Sequence, residues 1–122
     1  MEQLDDDLRI FAEAEPGVMS EEDRRFIEKI AGEYKSSTVV PCTDCKYCMP
    51  CSQGVMITAV FALFNKYRLT GEDAVKNSYI KNFYEKGRGA DMCISCGVCE
   101  RHCPQGLKIS ELLSSAHEEL LS

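Results

Sequence analysis

Cys42-Thr43-Asp44-Cys45-Lys46-Tyr47-Cys48-Met49-Pro50-Cys51 and Cys93-Ile94-Ser95-Cys96-Gly97-Val98-Cys99-Glu100-Arg101-His102-Cys103-Pro104 hold all eight cysteines of a 122-residue chain. Scattered structural cysteines do not fall into two runs. Three cysteines separated by two residues each can wrap one loop around a corner of a cubane iron–sulfur cluster. Each thiolate then reaches a different iron, and the fourth iron takes a ligand from elsewhere. Paired C-x-x-C units also build tetrahedral Cys₄ zinc sites, but such a site takes two cysteines from each of two knuckles, so triplets are superfluous for it. A thiol–disulfide exchange site would employ two cysteines and leave six unexplained. The chain opens on Met1-Glu2-Gln3-Leu4-Asp5-Asp6-Asp7, without the basic start and apolar run of a secretory signal. A cytoplasmic location is therefore expected, and in a reducing compartment clustered cysteines are metal ligands rather than disulfides.

The second run has the spacing found in two-cluster bacterial ferredoxins, where the fourth cysteine ligates the other cluster. The proline after it fixes the backbone and turns the chain away. Applied here, two [4Fe–4S] clusters are expected. Cys42, Cys45, Cys48 and Cys103 would hold the first, and Cys93, Cys96, Cys99 and Cys51 the second. Four thiolates within ten residues would crowd one face of a cluster, which favours this crossed wiring. Local wiring, with each run serving its own cluster, stays open. The first run departs from the ferredoxin spacing in its last gap, and Pro50 precedes Cys51 where Ser52 follows it. Ile94, Val98, Met49, Val55 and Ile57 are the neighbours expected to keep water from the clusters. His102 and His117 are not needed as ligands beside eight cysteines and read as surface or supporting residues.

Away from the cysteines the pattern is helical. Leu4, Leu8 and Phe11 recur at helical spacing over residues 3–14, and Glu15-Pro16-Gly17 ends that helix. Ser20 with Asp23 makes an N-cap signal for a helix over 21–34, whose buried face would carry Phe26, Ile30 and Tyr34. Residues 35–41 read as a linker. After the first run, Ile57, Val60, Phe61, Phe64 and Tyr67 form an apolar stripe that Thr70-Gly71 interrupts. Val75, Tyr79 and Phe83 mark another helix ending near Gly87 and Gly89. A last helix carries Leu112, Leu113, Ala116 and Leu120, with Ser110 as its expected N-cap. No segment alternates with period two. The expected fold is mainly α-helical, a dicluster ferredoxin-like domain with two cysteine-rich loops. Residues 1–40 form an N-terminal helical segment, and residues 41–122 the dicluster domain.

Composition agrees with a folded chain: 44% hydrophobic and 28% charged. The net charge of −6 lies wholly in residues 1–40, with 11 acids and 5 bases, while residues 41–122 carry 9 of each. An acidic chain without a basic run argues against nucleic acid as a partner. The longest apolar stretch, Val55 to Phe64, is broken by Thr58 and too short to span a bilayer, so no membrane partner is expected.

The string from Pro41 to Cys51 with Gly54-Val55, the run from Cys93 to Gly106, and Phe64-Asn65 with Tyr67 together resemble the C-terminal iron–sulfur extension of a microbial branch of the aldo/keto reductases. In that family a (β/α)₈ barrel precedes the ferredoxin-like part, and proline usually follows the fourth cysteine of the first run, where this chain has Ser52. Met1-Glu2-Gln3-Leu4 resembles the start of the last barrel helix, so the resemblance implies an excised piece of a longer oxidoreductase. The barrel's catalytic residues and nicotinamide site would then lie upstream. A chain of this length cannot hold a barrel of about 250 residues. No catalytic residue is expected here, and Tyr34, Tyr47, Tyr67, Tyr79 and Tyr84 are not assigned one. The function implied is electron transfer, with the barrel domain or another redox protein as partner. A structural zinc-binding or protein-interaction module and a free-standing ferredoxin-type carrier are the alternatives.

Overall fold

A computed structural model describes residues 2–122. Met1, where the resemblance to a barrel helix begins, lies outside the described residues. The chain divides into two compact units, the first ending at Tyr34 and the second spanning Lys35–Ser122. Helices dominate both, with no strand among the described residues.

The first unit holds α1 (Glu2–Glu13) and most of α2 (Glu21–Ser37). The cap on α2 is reciprocal. Ser20 Oγ accepts from the Asp23 N–H at 3.1 Å, and Asp23 Oδ2 accepts from the Ser20 N–H at 3.2 Å and from its hydroxyl. Two orphan donors are satisfied at once, and these bonds hold the Asp23 carboxyl below its usual value. The helix runs past the expected end at residue 34 because neither glycine nor proline stands between Gly32 and Pro41. The apolar positions are not buried as expected. Leu8 and Phe11 on α1 and Phe26, Ile30 and Tyr34 on α2 are all exposed.

The second unit has a true core. In it α3 (Ile57–Thr70) and α6 (Ile109–Leu121) pack against each other, and α4 (Asp73–Tyr79) packs against both. Val55, Ile57, Val60, Phe61, Phe64, Tyr79, Ile109, Leu113, Ala116 and Leu120 fill the space between them, each at most 2% exposed. Burying each of the larger apolar side chains contributes about 1.5–3 kcal/mol. Gly71 closes α3 in the left-handed conformation, φ 66°, donating its N–H to the Tyr67 carbonyl at 2.7 Å. From α4 the chain continues through a π-helical turn, Ile80–Tyr84, and a 3₁₀ turn, Ala90–Met92. Ser110 does not cap α6. The helix begins one residue earlier, at Ile109.

The second unit repeats one design. Each cysteine run ends in Cys-x-Gln-Gly: Cys51-Ser52-Gln53-Gly54 and Cys103-Pro104-Gln105-Gly106. Each glycine has positive φ, 77° and 62°, and donates its N–H back to the carbonyl of the run's last cysteine, at 2.9 and 3.1 Å. Three residues on, an isoleucine starts a long helix, Ile57 for α3 and Ile109 for α6. Because those helices pack on each other, the two loops are carried to neighbouring positions.

Candidate metal centre

The backbone of each loop is shaped around its middle cysteine. Asp44 (φ 54°) and Lys46 (φ 64°) flank Cys45, and Ser95 (φ 53°) and Gly97 (φ 69°) flank Cys96. A left-handed conformation costs a non-glycine residue of order 1–3 kcal/mol, and such strain gathers at functional sites. Three such residues stand in these two loops. Turns of this kind point successive N–H groups to one side, forming the concavities that receive phosphate and iron–sulfur groups. The runs differ at their ends. The first closes through a turn in which the Met49 N–H donates to the Lys46 carbonyl at 2.9 Å and the Met49–Pro50 peptide is cis. The second accommodates its extra residue in the short helix α5 (Val98–Arg101).

All eight thiols are free. Cys42, Cys45, Cys48 and Cys103 line one cavity, together with Phe61 and Ile109 from the core. Cys51, Cys96 and Cys99 line a second, with Pro50, Ser52 and Val98. Cys48 lines both, so the cavities adjoin. Cys93 opens instead onto a third, polar cavity shared with Asp91, Ser110 and His117. Among the described residues no three cysteine, histidine or carboxylate side chains converge on the position of a single ion. One zinc ion draws four sulfurs to about 2.3 Å from a common point, whereas a cubane spreads its four thiolates over four irons.

Cys45 and Cys96, the middle members of the triplets, are exposed, and the other six are half-buried against the core. Burial pushes the thiols of Cys48 and Cys99 above their ordinary value. Neighbouring Cys42, Cys99 and Cys103 raise Cys48 further, and Glu100 raises Cys99. Binding a metal group there displaces protons. Of the five neighbours expected to exclude water, Val55 and Ile57 are buried and Met49 is half-buried. Ile94 and Val98 are exposed instead, although Val98 also lines the second thiol cavity.

Three polar contacts outside the sequence reading hold the loops in place. Glu100 Oε1 accepts from the Ser110 hydroxyl at 2.6 Å and its N–H at 2.9 Å, tying the second loop to the start of α6. Those bonds hold the Glu100 carboxyl below its usual value. Asn65 donates to the Val40 carbonyl at 2.7 Å and accepts from the Val40 N–H at 2.9 Å. The Tyr79 hydroxyl accepts from the Ala90 N–H at 3.0 Å and pairs with His117 Nδ1 at 2.8 Å. Single-residue spacing gives no sign of these contacts, although the repeated Cys-x-Gln-Gly would have set Asn65 and His117 at equivalent places. His102 is exposed and His117 half-buried.

Eight free thiols, two adjoining cavities and paired left-handed turns fit a pair of iron–sulfur cubanes. A family model described as a 4Fe-4S dicluster domain matches residues 41–107, more than half of the chain. No curated protein and no solved structure matches it.

Proposed function

The chain belongs to the 4Fe-4S dicluster domain family, and on that premise we propose that it relays single electrons through two [4Fe–4S] clusters as the iron–sulfur part of an aldo/keto reductase-like oxidoreductase. The observation that carries the relay is the place of Cys48 on the wall of both thiol-lined cavities, which supports two clusters bound side by side. In this reading Cys42, Cys45, Cys48 and Cys103 hold one cluster, and Cys93, Cys96, Cys99 and Cys51 hold the other. Cys103 in the first cavity, and Cys51 beside Cys96 and Cys99 in the second, support the crossed assignment. When bound, the clusters supply reversible one-electron chemistry, at potentials that span roughly −700 to +450 mV across such centres. The protein's own residues bind and screen. Val55, Ile57, Phe61 and Ile109 shut water out from the inner side, and the exposed Cys45 and Cys96 leave outer edges open to a redox partner.

The link to a barrel enzyme is supported by the sequence resemblance and by the apolar residues that α1 and α2 leave exposed, a surface suited to a covering domain. Among the described residues, no helix is long and apolar enough to cross a membrane. Potentiometric titration of anaerobically prepared protein, followed by visible absorbance and electron paramagnetic resonance, tests the relay. Two reversible one-electron steps are expected, and absence of any reducible absorbance would contradict it. A reading frame continuing upstream for about 250 residues is expected for the barrel parent. A frame that opens at Met1 would leave a free-standing carrier.

A further inference from the structure

Asn65 lies as far beyond Cys51 as His117 lies beyond Cys103, and each occupies the same place in its helix, counted from Ile57 of α3 and Ile109 of α6. Both reach back to the backbone that enters the cysteine run of their own half. Asn65 does so directly, with two hydrogen bonds to Val40, whose carbonyl also accepts from the Cys42 N–H at 2.8 Å. His117 does so through Tyr79. The Tyr79 hydroxyl accepts from the Ala90 N–H, and the Ala90 carbonyl accepts from the Cys93 N–H at 3.1 Å. A hydroxyl has one proton to give. With Ala90 donating to it, the arrangement that satisfies every group has Tyr79 donating to His117 Nδ1. Tyr79 is fully buried, and among the described residues no buried side-chain polar atom lacks a partner.

We propose that Asn65 and the pair Tyr79–His117 are equivalent positioning residues, each fixing the backbone that carries the first cysteine of one run, Cys42 or Cys93. The inference deepens the dicluster reading and rests on it. Hydrogen bonding and geometry at the sulfur ligands set cluster potentials, so a residue that fixes the entry of one loop tunes one cluster and spares the other. Gly89 belongs to the same device. A Cβ there would stand 3.1 Å from the Tyr79 hydroxyl and 2.5 Å from Asp91 Oδ1, against the bond that Ala90 makes.

The test is a redox titration of the whole chain in which the two clusters are resolved by electron paramagnetic resonance and assigned with Cys45→Ser and Cys96→Ser, one in each loop. Tyr79→Phe keeps the ring and removes both bonds. It is expected to change the reduced-to-oxidised ratio of the Cys93 cluster at fixed potential by roughly tenfold, about 59 mV for one electron, and to leave the Cys42 cluster unchanged. Asn65→Leu is expected to do the reverse. His117→Leu, which removes one of the two bonds, should shift the same cluster in the same direction. His117→Asn, which sets an acceptor where Nδ1 stood and copies the residue of the first half, should restore the unmodified potential. Should Asn65→Leu fail to fold, the tyrosine and histidine variants still decide. Equal shifts in both clusters, no shift in either, or no rescue by His117→Asn would overturn the proposal. An unmodified chain without iron and sulfide would instead defeat the reading of function beneath it.

Discussion

Phe26 and Phe61 both sit on the apolar face of an amphipathic helix, yet Phe26 is 64% exposed and Phe61 is 1% exposed. The contrast extends to their surroundings. In residues 35–122 two helices of one design pack against each other, and each grows out of a cysteine loop. The unit ending at Tyr34 also has apolar residues at helical spacing and a well-made cap, but its apolar side chains remain exposed. Helical periodicity therefore reports that a helix forms and which face is apolar. Burial needs a second surface, and in this chain the cysteine-bearing half supplies its own.

The largest expected effects fall on the loops that make the second unit cohere. Cys103→Ala should remove the cluster of the Cys42 loop, about four of about eight irons, and Cys51→Ala the cluster of the Cys93 loop. Iron analysis with electron paramagnetic resonance checks this, and Cys103→Ala emptying only the Cys93 loop would show local wiring. Next comes Phe61→Ala, expected to cost about 3–5 kcal/mol in denaturant unfolding, because the core cannot collapse around the space it leaves. A smaller effect concerns Glu100, whose carboxyl Ser110 holds below its ordinary 4.5. A lowered folded value means that the contact stabilises the fold above pH 4.5 and that this contribution is lost as pH falls through the lowered value. An NMR titration of the carboxyl should find its midpoint below 4.5, and Ser110→Ala should move it upward toward 4.5. The smallest effect is that of Phe26→Ala, within about 0.5 kcal/mol in the same unfolding measurement. A cost near that of Phe61→Ala would erase the contrast between the two units.

Much of this was legible in the residues. Ser20 with Asp23 gave the start of α2, Thr70-Gly71 the end of α3, and Ile57, Val60, Phe61 and Phe64 a core face that is indeed buried. These signals are local, and the physics behind each lies within a few residues. What escaped depends on distant partners. Ser110 looked like a helix cap because serine usually caps, but its hydroxyl is engaged by Glu100 from the other side of the loop. Tyr79 read as one more apolar position, and only its approach to Ala90 and His117 reveals a polar duty. Ile94 looked like cluster shielding because it adjoins a cysteine, yet it is exposed, whereas Val98, exposed too, does line the second cavity. The left-handed turns at Lys46 and Ser95 carry no composition signal, and Asp44 only a weak one, since glycine and, less often, asparagine or aspartate adopt that conformation.

The central claim is that the eight cysteines hold two iron–sulfur cubanes. Iron, acid-labile sulfide and zinc content, measured on protein purified without oxygen, tests it most directly. About eight irons and eight sulfides per chain are expected. About two zinc ions with no sulfide would contradict it, and would make the loops structural knuckles instead.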